Sequence, residues 1–311
     1  MSQKNPGIAI LGPTASGKTL LAIALACEFR GEIVSCDALQ VYTRMDIGTA
    51  KILPHERKGI PHHMMDLRNP GEDFSAGDYQ RLARQALREI QARGHLPFVV
   101  GGTGFYLRAL IDGLFQGPSR SGKLRIRMKE IIRRKGPRIL HRYLRRVDPQ
   151  AAERIAETDA ERIVRAYEVY LATGKTISWW QQKPRDALDG YRWLKIGISL
   201  PRELLYRRID QRAEEMFRSG FLEEVQQLIK SFPAGSHAFR AIGYRQAIAY
   251  FDGKLTLEQA IEETKKQSRR YAKRQLTWFR ADPEIIWLEE GADRTKLQTE
   301  AADLIRKFLE K

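Results

Sequence analysis

The chain has 311 residues, with 54 lysines and arginines against 38 aspartates and glutamates, a formal net charge of +16. No apolar run approaches the ~20 residues that span a bilayer, and residues 1–7 are too short and polar for a secretory signal, so a cytoplasmic protein with no membrane partner is expected. The two cysteines, Cys27 and Cys36, form no Cys-x-x-Cys pair, which excludes a zinc ribbon or finger, and so large a positive excess implies a polyanionic partner, nucleic acid first.

Ile8-Ala9-Ile10-Leu11 reads as a short buried strand that runs into a glycine loop and then a helix over 20–29. Glu32-Ile33-Val34-Ser35-Cys36 is a second strand, ending at Asp37. Over 75–93, Ala76, Tyr79, Leu82, Ala83, Ala86, Leu87 and Ile90 fall at helical spacing, with Ser75 as N-cap. Pro97-Phe98-Val99-Val100 is a third strand, leading into Gly101-Gly102-Thr103-Gly104. Strands alternating with helices predict an α/β fold: a P-loop NTPase-like parallel sheet flanked by helices.

The character changes after Gly117-Pro118. Residues 120–146 hold twelve lysines and arginines and one acid, Glu130, and helical patterning continues through 151–156 and 160–171. Trp193-Leu194-Lys195-Ile196-Gly197-Ile198 reads as a return strand. The expected organisation is a discontinuous catalytic core, 1–118 with 195–311, and an inserted all-α domain, 119–194. Further helices are expected near 202–231, 240–252 and 256–280. Residues 265–280 supply Lys265, Lys266, Arg269, Arg270, Lys273, Arg274 and Arg280, interleaved with Tyr271, Trp278 and Phe279 and free of acids. That segment predicts RNA-facing cations over mostly buried aromatics.

Gly12-Pro13-Thr14-Ala15-Ser16-Gly17-Lys18-Thr19 fits G-x-x-x-x-G-K-[ST] between a strand and a helix. Glycines let backbone N–H groups converge on phosphate oxygens at the positive end of the helix. Lys18 neutralises phosphate charge, and the Thr19 hydroxyl suits Mg²⁺ or a phosphate. The loop alone leaves kinases, nucleotide hydrolases and diphosphate-dependent transferases open. Ligands of open α/β sheets bind beyond the carboxyl ends of the strands, so Asp37 and the 101–104 turn should face the loop. The third strand lacks the metal-binding aspartate of a hydrolase. Asp37 then has three possible jobs: metal ligand, proton acceptor or helix cap.

The chain resembles the tRNA dimethylallyltransferases, also called tRNA isopentenyltransferases. The resemblance runs through residues 12–19, Asp37-Ala38-Leu39-Gln40-Val41-Tyr42, Met45-Asp46-Ile47-Gly48-Thr49-Ala50-Lys51 and Gly59-Ile60-Pro61-His62-His63. It continues in Val100-Gly101-Gly102-Thr103-Gly104-Phe105-Tyr106-Leu107, Ile242-Gly243-Tyr244 and residues 271–280. The chain departs from the family at Ala38, where serine is common, at Ile52, where proline often follows the lysine, and at Ser268, where threonine is typical. The resemblance implies transfer of dimethylallyl from dimethylallyl diphosphate to the exocyclic N6 amine of the adenosine 3′ to the anticodon, in tRNAs reading codons that begin with U, with Mg²⁺ required. It implies Asp37 as general base, Thr19 as Mg²⁺ or phosphate contact, and Arg208 as the arginine that stabilises leaving diphosphate. On the tRNA side it implies Asp37, Ala38, Leu39, Gln40 and Thr103; Arg125 and Asp159-Ala160-Glu161-Arg162-Ile163 in the insertion; and Arg270, Lys273 and Arg274. His62 and His63 read as structural, since no further ligand sits at metal spacing. A monomer is expected. The rival readings are a P-loop kinase of a nucleotide or small acid, a prenyltransferase of free adenine nucleotides, and an RNA-binding protein whose loop senses nucleotide.

Overall fold

A computed structural model describes residues 4–118, 122–233, 235–290 and 294–311. The chain divides into two compact units, Met1–Ile111 with Leu188–Lys311, and Asp112–Ala187. The first unit opens with β1 (Asn5–Leu11), α1 (Lys18–Glu28), β2 (Gly31–Cys36), β3 (His62–His63), α2 (Ala76–Ala92), β4 (Leu96–Gly101) and α3 (Gly104–Ile111). The second unit supplies α4 (Gly122–Lys135), α5 (Pro137–Val147), α6 (Pro149–Arg154), α7 (Ala160–Thr173) and α8 (Ile177–Gln181). The chain returns through β5 (Tyr191–Ser199), α9 (Arg202–Arg218), α10 (Phe221–Ser231), α11 (Tyr244–Phe251), α12 (Leu257–Arg280), β6 (Ile285–Glu289) and α13 (Arg294–Leu309).

The six strands form one sheet in the order β3-β2-β4-β1-β5-β6, every pair parallel. Parallel strands are covered on both faces, which is why β1, β2 and β4 are apolar runs with little alternation. Successive residues still point to opposite sides. Ala9, Leu11, Val34 and Val99 meet Tyr79, Leu87, Leu107 and Phe221 on one face. Ile8, Ile10, Ile33 and Phe98 meet Leu25, Ala301 and Ile305 on the other. Each fully buried aliphatic side chain contributes about 1.5–3 kcal/mol. Helix α2 starts where expected: Asp78 N–H donates to Ser75 Oγ at 3.1 Å, and Ser75 N–H donates to Asp78 Oδ2 at 3.0 Å.

Several boundaries differ from expectation. The expected insertion began at 119, and residues 119–121 lie outside the described residues. It ended inside a strand, since 191–194 open β5. The helix expected over 202–231 breaks into α9 and α10 at Gly220, whose φ of 89° ends one helix and starts the next. The helix expected from 240 begins at Tyr244, after a 3₁₀ turn, His237–Arg240. Strands β3 and β6 and helix α13 were not foreseen.

The second unit packs its own core from Leu140, Leu144, Ile163, Val164 and Val169. Asp148 ties two of its helices: Oδ1 accepts from Ala151 N–H at 3.0 Å and Oδ2 from Ser178 N–H at 3.0 Å.

Candidate active site

The register of β1, β4 and β2 brings Leu11, Gly101 and Cys36 level. Their following loops therefore open at one end of the sheet. Here lies a cavity of about 840 Å³ walled by the phosphate loop, Asp37–Gln40, Phe74, Tyr106, Arg212, Tyr271 and Arg274. Gly17 holds φ at 76°, and a Cβ at Gly12 would meet the Ile198 carbonyl oxygen at 2.8 Å. Both glycines are thus required by the loop's shape. Lys18 Nζ donates to the Pro13 carbonyl at 2.5 Å and to Ser16 Oγ at 3.3 Å. Burial pushes its pKa down to about 7; nearby Arg212 adds to that, and Asp37 opposes it. Thr19 lines the cavity one residue further along α1.

Asp37 serves as both cap and cavity wall. Its Oδ1 accepts from Leu39 N–H at 2.8 Å and Gln40 N–H at 3.4 Å, so one oxygen is held by backbone while Oδ2 makes no such bond. Ala38 N–H donates to Thr103 Oγ1 at 3.2 Å, joining the two loops. Gln40 accepts from Ser35 Oγ at 2.8 Å and donates to the Thr49 carbonyl at 3.4 Å. Its amide keeps one donor and one acceptor position for a ligand. Burial, and then the Asp37 charge, push Tyr271 up to about 12, against a hydrogen bond with Thr103.

Arg208 does not line the cavity. Its Nη1 lies 2.9 Å from Oε2 of buried Glu290, whose carboxylate sits beside Gly17. The cavity arginine of α9 is Arg212, one turn further on, which sequence reasoning passed over. Its side chain is exposed at the cavity, where Nη2 donates to the Thr49 carbonyl at 3.4 Å, and desolvation lowers its pKa against the pull of Asp37. The i,i+4 spacing that puts both arginines on one helix face was the available signal.

The 101–104 turn is closely approached by α12. A Cβ at Gly102 would lie 2.1 Å from Gln275 Nε2, and one at Gly104 would lie 2.1 Å from Trp278 Cδ1. On α12, Arg270, Lys273 and Arg274 are exposed, and Arg274 reaches the cavity. Phe279 is core, whereas Trp278 is 42% exposed. Lys265, Lys266 and Arg269 are instead paired with Glu214 and Glu262, Glu263, and Asp210 respectively. His63 donates its place to a structural cluster: His63 Nε2, His95 Nδ1 and Arg93 all contact the buried Glu32 carboxylate at 2.6–2.9 Å. Among the described residues no group of three or more His, Cys, Asp or Glu is arranged to hold a metal.

In the second unit, considered alone, Arg125 is held by Glu168 at 3.2 Å and Glu161 at 3.1 Å. Asp159 caps α7, accepting from Arg162 N–H at 3.1 Å, and Arg162 is exposed. Ile163 is a correction: its side chain is fully buried in the unit's core and offers no surface contact.

The family described as IPP transferase matches residues 40–282. A tRNA dimethylallyltransferase of Koribacter versatilis (strain Ellin345) is 48% identical, over 96% of this chain and 97% of that protein. One of Solibacter usitatus (strain Ellin6076) is 47% identical, over 98% and 99%. Among solved structures, the tRNA isopentenylpyrophosphate transferase of Bacillus halodurans superposes with a TM-score of 0.74 at 38% identity, covering 99% of this chain and 97% of that one. A eukaryotic dimethylallyltransferase acting on tRNA gives 0.75 at 29% identity, covering 92% and 74%. Similarity of this degree, sustained from the phosphate loop through α12, makes the chain a member of the IPP transferase family.

Proposed function

We propose that the protein is a tRNA dimethylallyltransferase, moving a five-carbon prenyl group from dimethylallyl diphosphate to N6 of the adenosine that follows the anticodon. The observation that carries this reading is one cavity holding Lys18, Thr19 and Arg212 together with Asp37. The exocyclic nitrogen attacks C1 of the prenyl group, the C1–O bond breaks, and diphosphate leaves with the bonding pair. Asp37 Oδ2 takes the proton that the nitrogen loses. Loop N–H groups, Lys18 and Arg212 stabilise the charge that gathers on diphosphate. Arg212 takes this role in place of Arg208, which Glu290 already neutralises.

The oxygen donors at the loop fit Mg²⁺, which takes one or two protein oxygens and completes its shell with phosphate oxygens and water. The Thr19 hydroxyl would hold it, leaving Asp37 Oδ2 for the proton. When bound, Mg²⁺ neutralises diphosphate charge.

The target base must leave the anticodon stack to reach Asp37. A cavity of about 840 Å³ has room for a flipped base beside a prenyl diphosphate. Gln40 would read the base edge, Thr103 would order the loop around it, and Arg270, Lys273 and Arg274 would take the RNA backbone. The helical unit would grip the stem through exposed cations such as Lys123, Arg127 and Arg162. Among the described residues no helix is long and apolar enough to cross a membrane. The test is label transfer from dimethylallyl diphosphate to an unmodified anticodon stem-loop RNA. Label on the loop adenosine, lost in Asp37→Ala, is expected. Transfer of a γ-phosphate from ATP to a small acceptor, with no labelled RNA, would give the case to a kinase.

A further inference from the structure

Gln275 is a side chain of the basic helix α12 that is only 6% exposed. Its amide is used at both ends. Thr14 N–H, in the phosphate loop, donates to Gln275 Oε1 at 2.9 Å. Gln275 Nε2 donates to the Gly102 carbonyl, in the turn after β4, at 2.8 Å. The three segments lie 261 and 173 residues apart in sequence. Gly102 has no room for a side chain because this amide occupies the space. One turn of α12 thus presents Arg274 to the cavity and solvent, and the neighbouring residue holds both loops that shape the phosphate site.

We propose that Gln275 is a positioning residue through which α12 sets the phosphate loop, so that RNA on the basic face of α12 and diphosphate in the loop each tighten the other. The proposal rests on the reading of α12 as an RNA surface. A side chain that accepts from one loop and donates to the other passes any shift of α12 to both. RNA that fixes α12 lowers the cost of ordering the loop around phosphate, and linkage makes the effect reciprocal. Gln275 is 6% exposed and its amide is already engaged at both ends, so its effect travels through Thr14 and Gly102.

The experiment measures binding of inorganic diphosphate, with Mg²⁺, in the absence and presence of saturating unmodified anticodon stem-loop RNA. Wild type should bind diphosphate at least fivefold tighter with RNA present. Gln275→Met keeps the unbranched stem and removes both hydrogen bonds. It should bind RNA alone within twofold of wild type, bind diphosphate about tenfold more weakly, and lose the enhancement. Enhancement that persists in this variant overturns the proposal. If the variant does not fold, wild type still decides: hydrogen exchange at residues 12–17 should slow when RNA is added, and unchanged exchange overturns the proposal. RNA that binds wild type without tightening diphosphate overturns this proposal alone. RNA that does not bind at all overturns the functional reading as well.

Discussion

Arg208 points at Glu290, 2.9 Å away, while Arg212, four residues along the same helix, faces the phosphate loop. The two arginines are neighbours on one face, and a single buried carboxylate separates their roles. Arg212→Ala should lower kcat/KM for dimethylallyl diphosphate by about 10²–10³, the usual cost of losing one charge-stabilising donor. Arg208→Ala should change turnover less than tenfold. It should instead lower stability, because the buried Glu290 carboxylate loses the ion-pair partner 2.9 Å from it. Steady-state kinetics and denaturant unfolding of both variants decide. A catalytic collapse in Arg208→Ala at unchanged stability would reverse the assignment.

Lys18 gives the site a pH dependence. Burial brings its pKa down to about 7, so most Lys18 is neutral at pH 8 in the free protein. Diphosphate binds the charged form, and binding must therefore take up a proton above pH 7. Affinity should fall about tenfold per unit as pH rises above 7, until the pKa of the complex is reached. Calorimetry in buffers of different ionisation enthalpy should find close to one proton taken up at pH 8, beyond whatever Lys18→Ala takes up. Equal proton uptake in the two proteins would remove Lys18 from this role.

These assignments separate what sequence could carry from what it could not. Residues 8–11 and 97–100 were legible as strands because burial on both faces leaves them apolar, and 32–36 because Ile33, Val34 and Cys36 keep that character around the buried Glu32 and Ser35. Edge strand β6 was not, since Ile286 is 42% exposed and the run is short. The phosphate loop and Asp37 were legible because their chemistry is local: glycine geometry, a helix terminus, and a strand end. Which of Arg208 and Arg212 lines the cavity is not local information: Arg208 meets Glu290, 82 residues later in the chain and brought alongside by β6. The same holds for Gln275, whose partners are set by packing of α12 on the sheet. Ile163 belongs to a helix that does show polar neighbours outward, and only the three-dimensional core of that unit reveals that its own side chain points in.

Glu32 anchors the end of the sheet opposite the chemistry. Arg93 above all, and then His63 and His95, hold its carboxyl down at about 2 in spite of burial. The folded pKa lies below the unfolded value of 4.5, so the stabilisation is fully present above pH 4.5 and is lost as pH falls towards 2. A shift of that size corresponds to about 3 kcal/mol at neutral pH. Glu32→Gln should lower the urea midpoint at pH 7, and the gap from wild type should narrow steadily between pH 4.5 and 2. A gap that stayed constant with pH would mean that packing, not charge, makes the cluster stabilising.

The cations of α12 divide into two sets that differ in their partners and in their exposure. Lys265 and Arg269 are held by carboxylates, at 2.5–2.7 Å and 2.5 Å. Arg270, Lys273 and Arg274 are exposed and make no ion pair within 4 Å among the described residues. A cation already paired releases little when RNA arrives, whereas an unpaired one displaces a counterion from the phosphate backbone. Alanine at Arg270 or Lys273 should therefore weaken binding to anticodon stem-loop RNA and reduce the slope of log K against log salt by about 0.7 each. Alanine at Lys265 should leave that slope unchanged. Filter binding across a salt series measures both quantities at once. If Lys265→Ala flattened the slope as much as Lys273→Ala did, the ion pairs of α12 would not decide which cations meet the RNA, and the contact surface would have to be redrawn along the other side of the helix.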